Sequence, residues 1–263
     1  MALSDTVDTQ RANRRLIRES MNAPLLTRDH ELDLARRWRN DGDERALHEL
    51  IQSYMRLVIS TASRLAAKTG ELPHLKTLAE ELGVEEHLLK QVIFDREHLL
   101  VVMADVALQR LLHTITQEIA RRSSPVDQLE AIAVAYVDWA RLYPQEFRLV
   151  GEMPAPVFER HPRLLQYEQS VHALVMKILQ RAQEEGYLDP DEDLVMLRAM
   201  SHTYMYGVIT KMLLGDLGRW TPGSTDEDAA RTAVQVFNRK LFKPRPSNGG
   251  SAQIEPRAHP IPV

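Results

Sequence analysis

Residues 75–93 read LKTLAEELGVEEHLLKQVI, and this stretch decides the fold. Ala79 stands where two short helices would cross, a place where a small side chain permits close approach. Gly83, four residues on, adopts φ > 0 at no steric cost and turns the chain sharply. Val84 and Leu89 then fill the angle between the helices, and the second is left free to lie in a DNA major groove. An ordinary αα-corner uses the same Ala-x-x-x-Gly spacing, so the pair gains weight from its neighbours: a long amphipathic helix before it and FDREHLL after it.

Working outward, the apolar period stays near 3.6 residues and no strand pattern emerges, so the expected class is all-α. Thr27 caps a helix over 27–40, and NDGD at 40–43 ends it and starts another at Asp43. On that helix Leu47, Leu50, Ile51, Tyr54, Val58, Thr61 and Leu65 form one stripe, closed by Gly70. Helices follow over 75–82, 85–93 and from Asp95, its N-cap, to about Arg121. SSP at 123–125 opens the next helix, and Pro144 interrupts it. The three prolines of 151–164 predict a bending connection. Helices over about 163–185, 191–215 and up to Phe242 complete the chain. Residues 1–24, with Arg11, Arg14, Arg15 and Arg18, read as a flexible basic arm, and 244–263 as a disordered tail.

Composition narrows the function. The 263 residues carry a net charge of −4, which rules out a uniformly basic coat for nucleic acid, so any basic patch is local. With no cysteine there is no disulfide framework, thiolate nucleophile or Cys-based metal site. No secretory signal and no membrane-length apolar run is read, which points to a cytoplasmic protein without membrane contact. HExxH, paired Glu-x-x-His, GxSxG and Gly-rich phosphate loops are all missing, so no catalytic set, metal site or cofactor is expected.

Residues 58–101 resemble the DNA-binding head of the TetR family of transcriptional regulators, through Ala62, Leu65, Gly70, Leu78, Ala79, Gly83, Val84, Leu89, Glu97, Leu99 and Leu100. The resemblance extends over about 54–242. It implies a helix-turn-helix head at 54–121 and a C-terminal domain at 122–243 that binds a small-molecule effector and makes a homodimer through its last two long helices. For the head it implies DNA contacts from Arg64, Lys76, Thr77, His87, Lys90 and Gln91, with Ala79, Gly83, Val84 and Leu89 as the structural set. Two departures stand out. Glu85, followed by Glu86, stands where the family has a capping Ser or Thr, and residues 71–100 hold seven acids against three basic residues.

Residues 22–66 resemble regions 1.2 to 2.1 of an RpoH-type heat-shock sigma factor, through Pro24, Leu26, Thr27, Glu31, Trp38, Gly42, Asp43 and Ala46 among others. This sigma-like segment, placed at 25–53, implies a protein partner for 25–66 such as polymerase, a chaperone or a protease; a hairpin that merely packs on the head is the plainer reading. Both resemblances use 54–66, so one continuous helix would serve both modules. In the C-terminal half, helix 191–215 is apolar on more than one face and must be covered on more than one side. A cavity for a small apolar effector could be lined by Trp139, Tyr143, Phe147, Phe158, Tyr167, Met176, Met200 and Tyr204, although such side chains at helical spacing also make plain core. The two functions that compete are a DNA-binding regulator and a protein-interaction module whose head has lost DNA affinity.

Overall fold

The computed structural model describes residues 26–243. The arm at 1–24, with Arg11–Arg18, and the tail at 244–263 lie outside the described residues, as do the side chains of several helical positions, Gln91 among them. The described chain is helical throughout, with no strand among the described residues.

The helices are α1 (Arg28–Asp41), α2 (Glu44–Thr69), α3 (Leu75–Leu82), α4 (Glu86–Val92), α5 (Arg96–Ala120), α6 (Pro125–Leu142), α7 (Pro144–Gly151), α8 (Ala155–Arg160), α9 (Pro162–Glu184), α10 (Leu194–Leu213) and α11 (Asp226–Leu241). Their ends follow local chemistry. Thr27, Asp43, Asp193 and Thr225 accept hydrogen bonds from first-turn backbone N–H groups of α1, α2, α10 and α11, satisfying donors that helix geometry leaves open. Asp95 does the same for α5, accepting from the His98 N–H at 2.7 Å. The proline-rich connection differs from the expected bend, because it holds the six-residue helix α8. Pro156 stands in its first turn, where a missing N–H costs nothing.

The described chain divides into two compact units, 26–114 with 138–171 and 115–137 with 172–243. This division does not fall at the 121/122 boundary read from the sequence, because α5, α6 and α9 each contribute to both units. In the first unit Met55, Val58, Ile59 and Ala62 of α2 pack with Leu75, Leu78, Ala79, Leu89, Ile93, Leu99 and Val102, and Leu149 of α7 joins them. In the second, Leu179, Ala182, Leu188, Leu197 and Phe242 form a separate core. Among the described residues α5 alone has the length and apolar composition of a membrane span, and 56% of its apolar window is buried inside the protein, as in a core helix.

The leading helices form a latched hairpin. Leu34 of α1 is fully buried. The Tyr54 hydroxyl donates to Glu31 at 2.5 Å, His30 meets Glu49 at 2.8 Å and Arg37 pairs with Asp43 at 2.6 Å. The Glu31 carboxylate, as the hydrogen-bond acceptor, pushes the Tyr54 phenol up to about 12.

Candidate nucleic-acid interface

The turn between α3 and α4 is a glycine-closed Schellman motif. Gly83 sits at φ 68°, ψ 29°, with its N–H bonded to the Glu80 carbonyl at 3.2 Å and the Val84 N–H bonded to that of Ala79 at 3.0 Å. Ala79 is 2% exposed at the crossing, and Leu89 at 4% anchors the inner side of α4, with Val84 half-buried beside them. The structural set read from the sequence therefore meets at one place. The outer side of α4 is open: Glu85, His87 and Lys90 are all exposed.

The open side of α4 carries two acids, Glu85 and Glu86, against one lysine, Lys90. Lys90 pairs with Glu86 at 2.7 Å, one turn apart, and His87 with Glu85 at 3.0 Å. Arg64 of α2 reaches Glu81 of α3 at 2.8 Å. Arg96 donates to the Leu72 carbonyl at 2.9 and 3.2 Å, bracing the loop before α3. Lys76 and Thr77 are exposed, and no ion pair engages Lys76 among the described residues. Glu85 is the N-cap of α4 yet makes no side-chain capping bond, so the replacement of the usual Ser or Thr leaves that helix end uncapped.

The first turn of α5 is tied to α8. Arg160 donates to both Glu97 carboxylate oxygens at 2.9 and 3.0 Å, and His161 lies 3.5 Å away. The Arg160 hydrogen bond, ahead of His161, holds the Glu97 carboxyl below its ordinary value. A depressed carboxyl stabilises the fold above the ordinary carboxylate range, and that stabilisation is lost as pH falls through the depressed value. Arg160→Ala is expected to bring the Glu97 midpoint back up in a carbon-detected NMR titration. An unmoved midpoint would assign the effect to His161.

Deeper in the same unit Asp105 of α5, 3% exposed, is ion-paired with Arg163 of α9. Arg163 also donates to the Tyr167 hydroxyl at 3.0 Å. Burial first, then the Asp105 charge, raises the Tyr167 phenol above its ordinary value. Arg110 pairs with Glu146 and lies 4.1 Å over the Tyr143 ring, and the Trp139 indole N–H donates to Glu146 at 3.0 Å. Burial outweighs both neighbours and leaves the Glu146 carboxyl raised. Sequence reasoning missed both ion pairs. The one available signal was Asp105 itself, an acid inside the apolar run VVMADVAL.

The residues read as a pocket lining belong partly to the first unit and partly to the second. Trp139 and Phe147 are buried and meet edge to face at 6.1 Å, with Tyr143 and Tyr167 engaged as above in the first unit. Met176 packs into the core of the second unit. Met200 is 58% exposed there, and Tyr204 stacks on Phe237 at 4.3 Å. Helix α10 is covered along Leu197, Val208, Ile209 and Met212, while Val195, Met196 and Met200 are exposed. Among the described residues no cluster of three or more His, Cys, Asp or Glu could hold a metal ion.

Comparison with known proteins places this geometry. Residues 129–237 match the model of the tetracyclin repressor-like C-terminal domain. A TetR family transcriptional regulator, PfmR from Thermus thermophilus, superposes with a TM-score of 0.54 at 16% identity, over 69% of this chain and 97% of that one. The fold is that of the TetR family. The ketosteroid transcriptional regulator KstR2 of Mycobacterium tuberculosis agrees, with a TM-score of 0.58 at 15% identity over 73% of this chain and 96% of that one. A protein of unknown function from Rhodococcus sp. RHA1 gives 0.59 at 22% identity over the same shares. No curated protein matches by sequence. None of these comparisons supports the sigma-factor resemblance of residues 22–66.

Proposed function

We propose that the chain is a homodimeric, DNA-binding transcriptional regulator that responds to a small apolar or amphipathic effector. The observation that carries the reading is the Ala79–Gly83 crossing, which packs the inner side of α4 into a core and leaves its outer side exposed. Lys76, Thr77, Lys90 and His87 are the side chains offered to DNA, with Gln91 assigned from sequence alone. The dimer reading rests on the exposed apolar side chains Val195, Met196 and Met200 of α10 and Val236 of α11, on two helices that pack together. Exposed apolar residues clustered on paired helices suit a two-fold helical interface. An apolar effector accords with the aromatic and methionine content of the C-terminal half and with the ketosteroid regulator among the structural neighbours.

One observation favours a second reading, a protein-docking module. The ion pairs of Arg64 and Lys90 engage cations that DNA phosphates would otherwise meet, and Glu85 holds the His87 ring. A salt titration with random duplex separates the two. A DNA reader loses affinity along a log–log line whose slope is about −0.9 per phosphate neutralised, whereas no binding at low salt would leave the docking reading. Replacing Glu85 and Glu86 together by serine removes two charges from a helix N-terminus that faces phosphate. At about 0.3–1 kcal/mol per charge, non-specific affinity is expected to rise roughly threefold to thirtyfold. An unchanged affinity would show that these acids do not face the duplex.

A further inference from the structure

We infer that the outer face of α1 is a second phosphate-binding surface, which supplies the DNA-backbone contacts that the net acidic α3–α4 corner lacks. This inference rests on the DNA-binding reading above.

The side of α1 that meets α2 is settled by its contacts. Leu34 is buried, and Glu31, His30 and Arg37 are bonded to Tyr54, Glu49 and Asp43. At 100° per residue the opposite side carries Ala35, Arg28, Arg39, Leu32 and Arg36, within an arc of about 100°. All five are exposed. No acid falls inside that arc, and Asp29 stands at its edge. Among the described residues no carboxylate pairs with Arg28, Arg36 or Arg39, in contrast to Arg64, His87 and Lys90.

Three features make nucleic-acid phosphate the fitting occupant. The arginines span about 16 Å along the helix, the rise of roughly five successive phosphates on one strand. Arginine presents a planar fork suited to phosphate oxygens. Only Leu32 and Ala35 lie between the charges, too little apolar area for the dry centre of a protein interface. The surface is also rigidly placed, because α2 runs unbroken from the hairpin into the core that holds α3 and α4.

The test uses the full chain, with Arg28, Arg36 and Arg39 all replaced by alanine, and a fluorescein-labelled random duplex titrated by anisotropy across a range of sodium chloride. The positions are exposed, and an unchanged thermal midpoint confirms folding. If the face meets phosphates, the slope of log K against log salt becomes shallower by up to about 2.7. Affinity at low salt then drops at least tenfold, equally for every sequence, and the corresponding triple lysine variant restores most of it. A wild-type chain that binds while the alanine variant keeps its slope would overturn the inference and leave the DNA-binding reading standing. An acidic protein as the true occupant gives this same result. A wild-type chain that shows no duplex binding at low salt would overturn both.

Discussion

Asp105→Ala is expected to lower the unfolding free energy by about 3–5 kcal/mol, the usual cost of removing one partner from a buried ion pair. Asp105 is 3% exposed and Arg163 is mostly buried, so among the described residues the guanidinium left behind keeps the Tyr167 hydroxyl as its hydrogen-bond partner. Its desolvation is then uncompensated. The double variant Asp105→Leu with Arg163→Met removes both charges while keeping apolar volume, and it should recover most of the loss or exceed the parent stability. Urea unfolding of the two variants side by side decides the matter. A single variant that loses under 1 kcal/mol would mean that water reaches Arg163 and that the pair is not a buried one. Because α5 begins at the head and Arg163 lies near the start of α9, the alanine variant should also loosen the seat of α5. Amide exchange along 99–107 is expected to rise with it.

Ala79→Leu is the second large effect, and its readout is functional. Ala79 sits at 2% exposure within a core bounded by Leu75, Leu78, Leu89 and Ile93. Three added carbons have no room, and overpacking of this kind costs about 1–3 kcal/mol. The strain is expected to be relieved by opening the angle between α3 and α4, since the Gly83 turn has open space beside it. Duplex binding should therefore fall more than tenfold in a variant that remains helical by circular dichroism. Ala79→Gly keeps the space and removes only helix propensity, at about 1 kcal/mol, and should bind nearly as the parent does. Equal losses in the two variants would show that stability, not the crossing angle, governs binding.

The parts of the fold legible in the sequence are those fixed by neighbours along the chain. The Gly83 turn and the Thr27 and Asp43 caps each rest on residues a few positions apart, where turn and capping chemistry is specific, whereas the α2 core also takes Met55, Ile59 and Ala62, outside the stripe read from the sequence. The helix inside 151–164 was hidden because a proline run signals a bend, while Pro156 in a first turn is equally at home in a helix. The ion pairs divide along the same line. Lys90 with Glu86 could be anticipated from their one-turn spacing. Arg64 with Glu81 and Asp105 with Arg163 join residues on different helices, which only the folded chain brings together. The two compact units were illegible for a similar reason. Loop punctuation marks where helices end, whereas α5, α6 and α9 each pack partly in one unit and partly in the other.

Helix α2 has a practical consequence for anyone dividing this chain. Its 26 residues form one rod about 39 Å long, and the natural place to trim a leading segment, ahead of position 54, falls in its middle. A truncated head would lose the strut that α1 clamps, and it would leave a raw helix end directly beside the core residues Met55, Val58 and Ile59. The leading hairpin and the α3–α4 corner are best treated as the two ends of a single lever, so that whatever grips one end reorients the other.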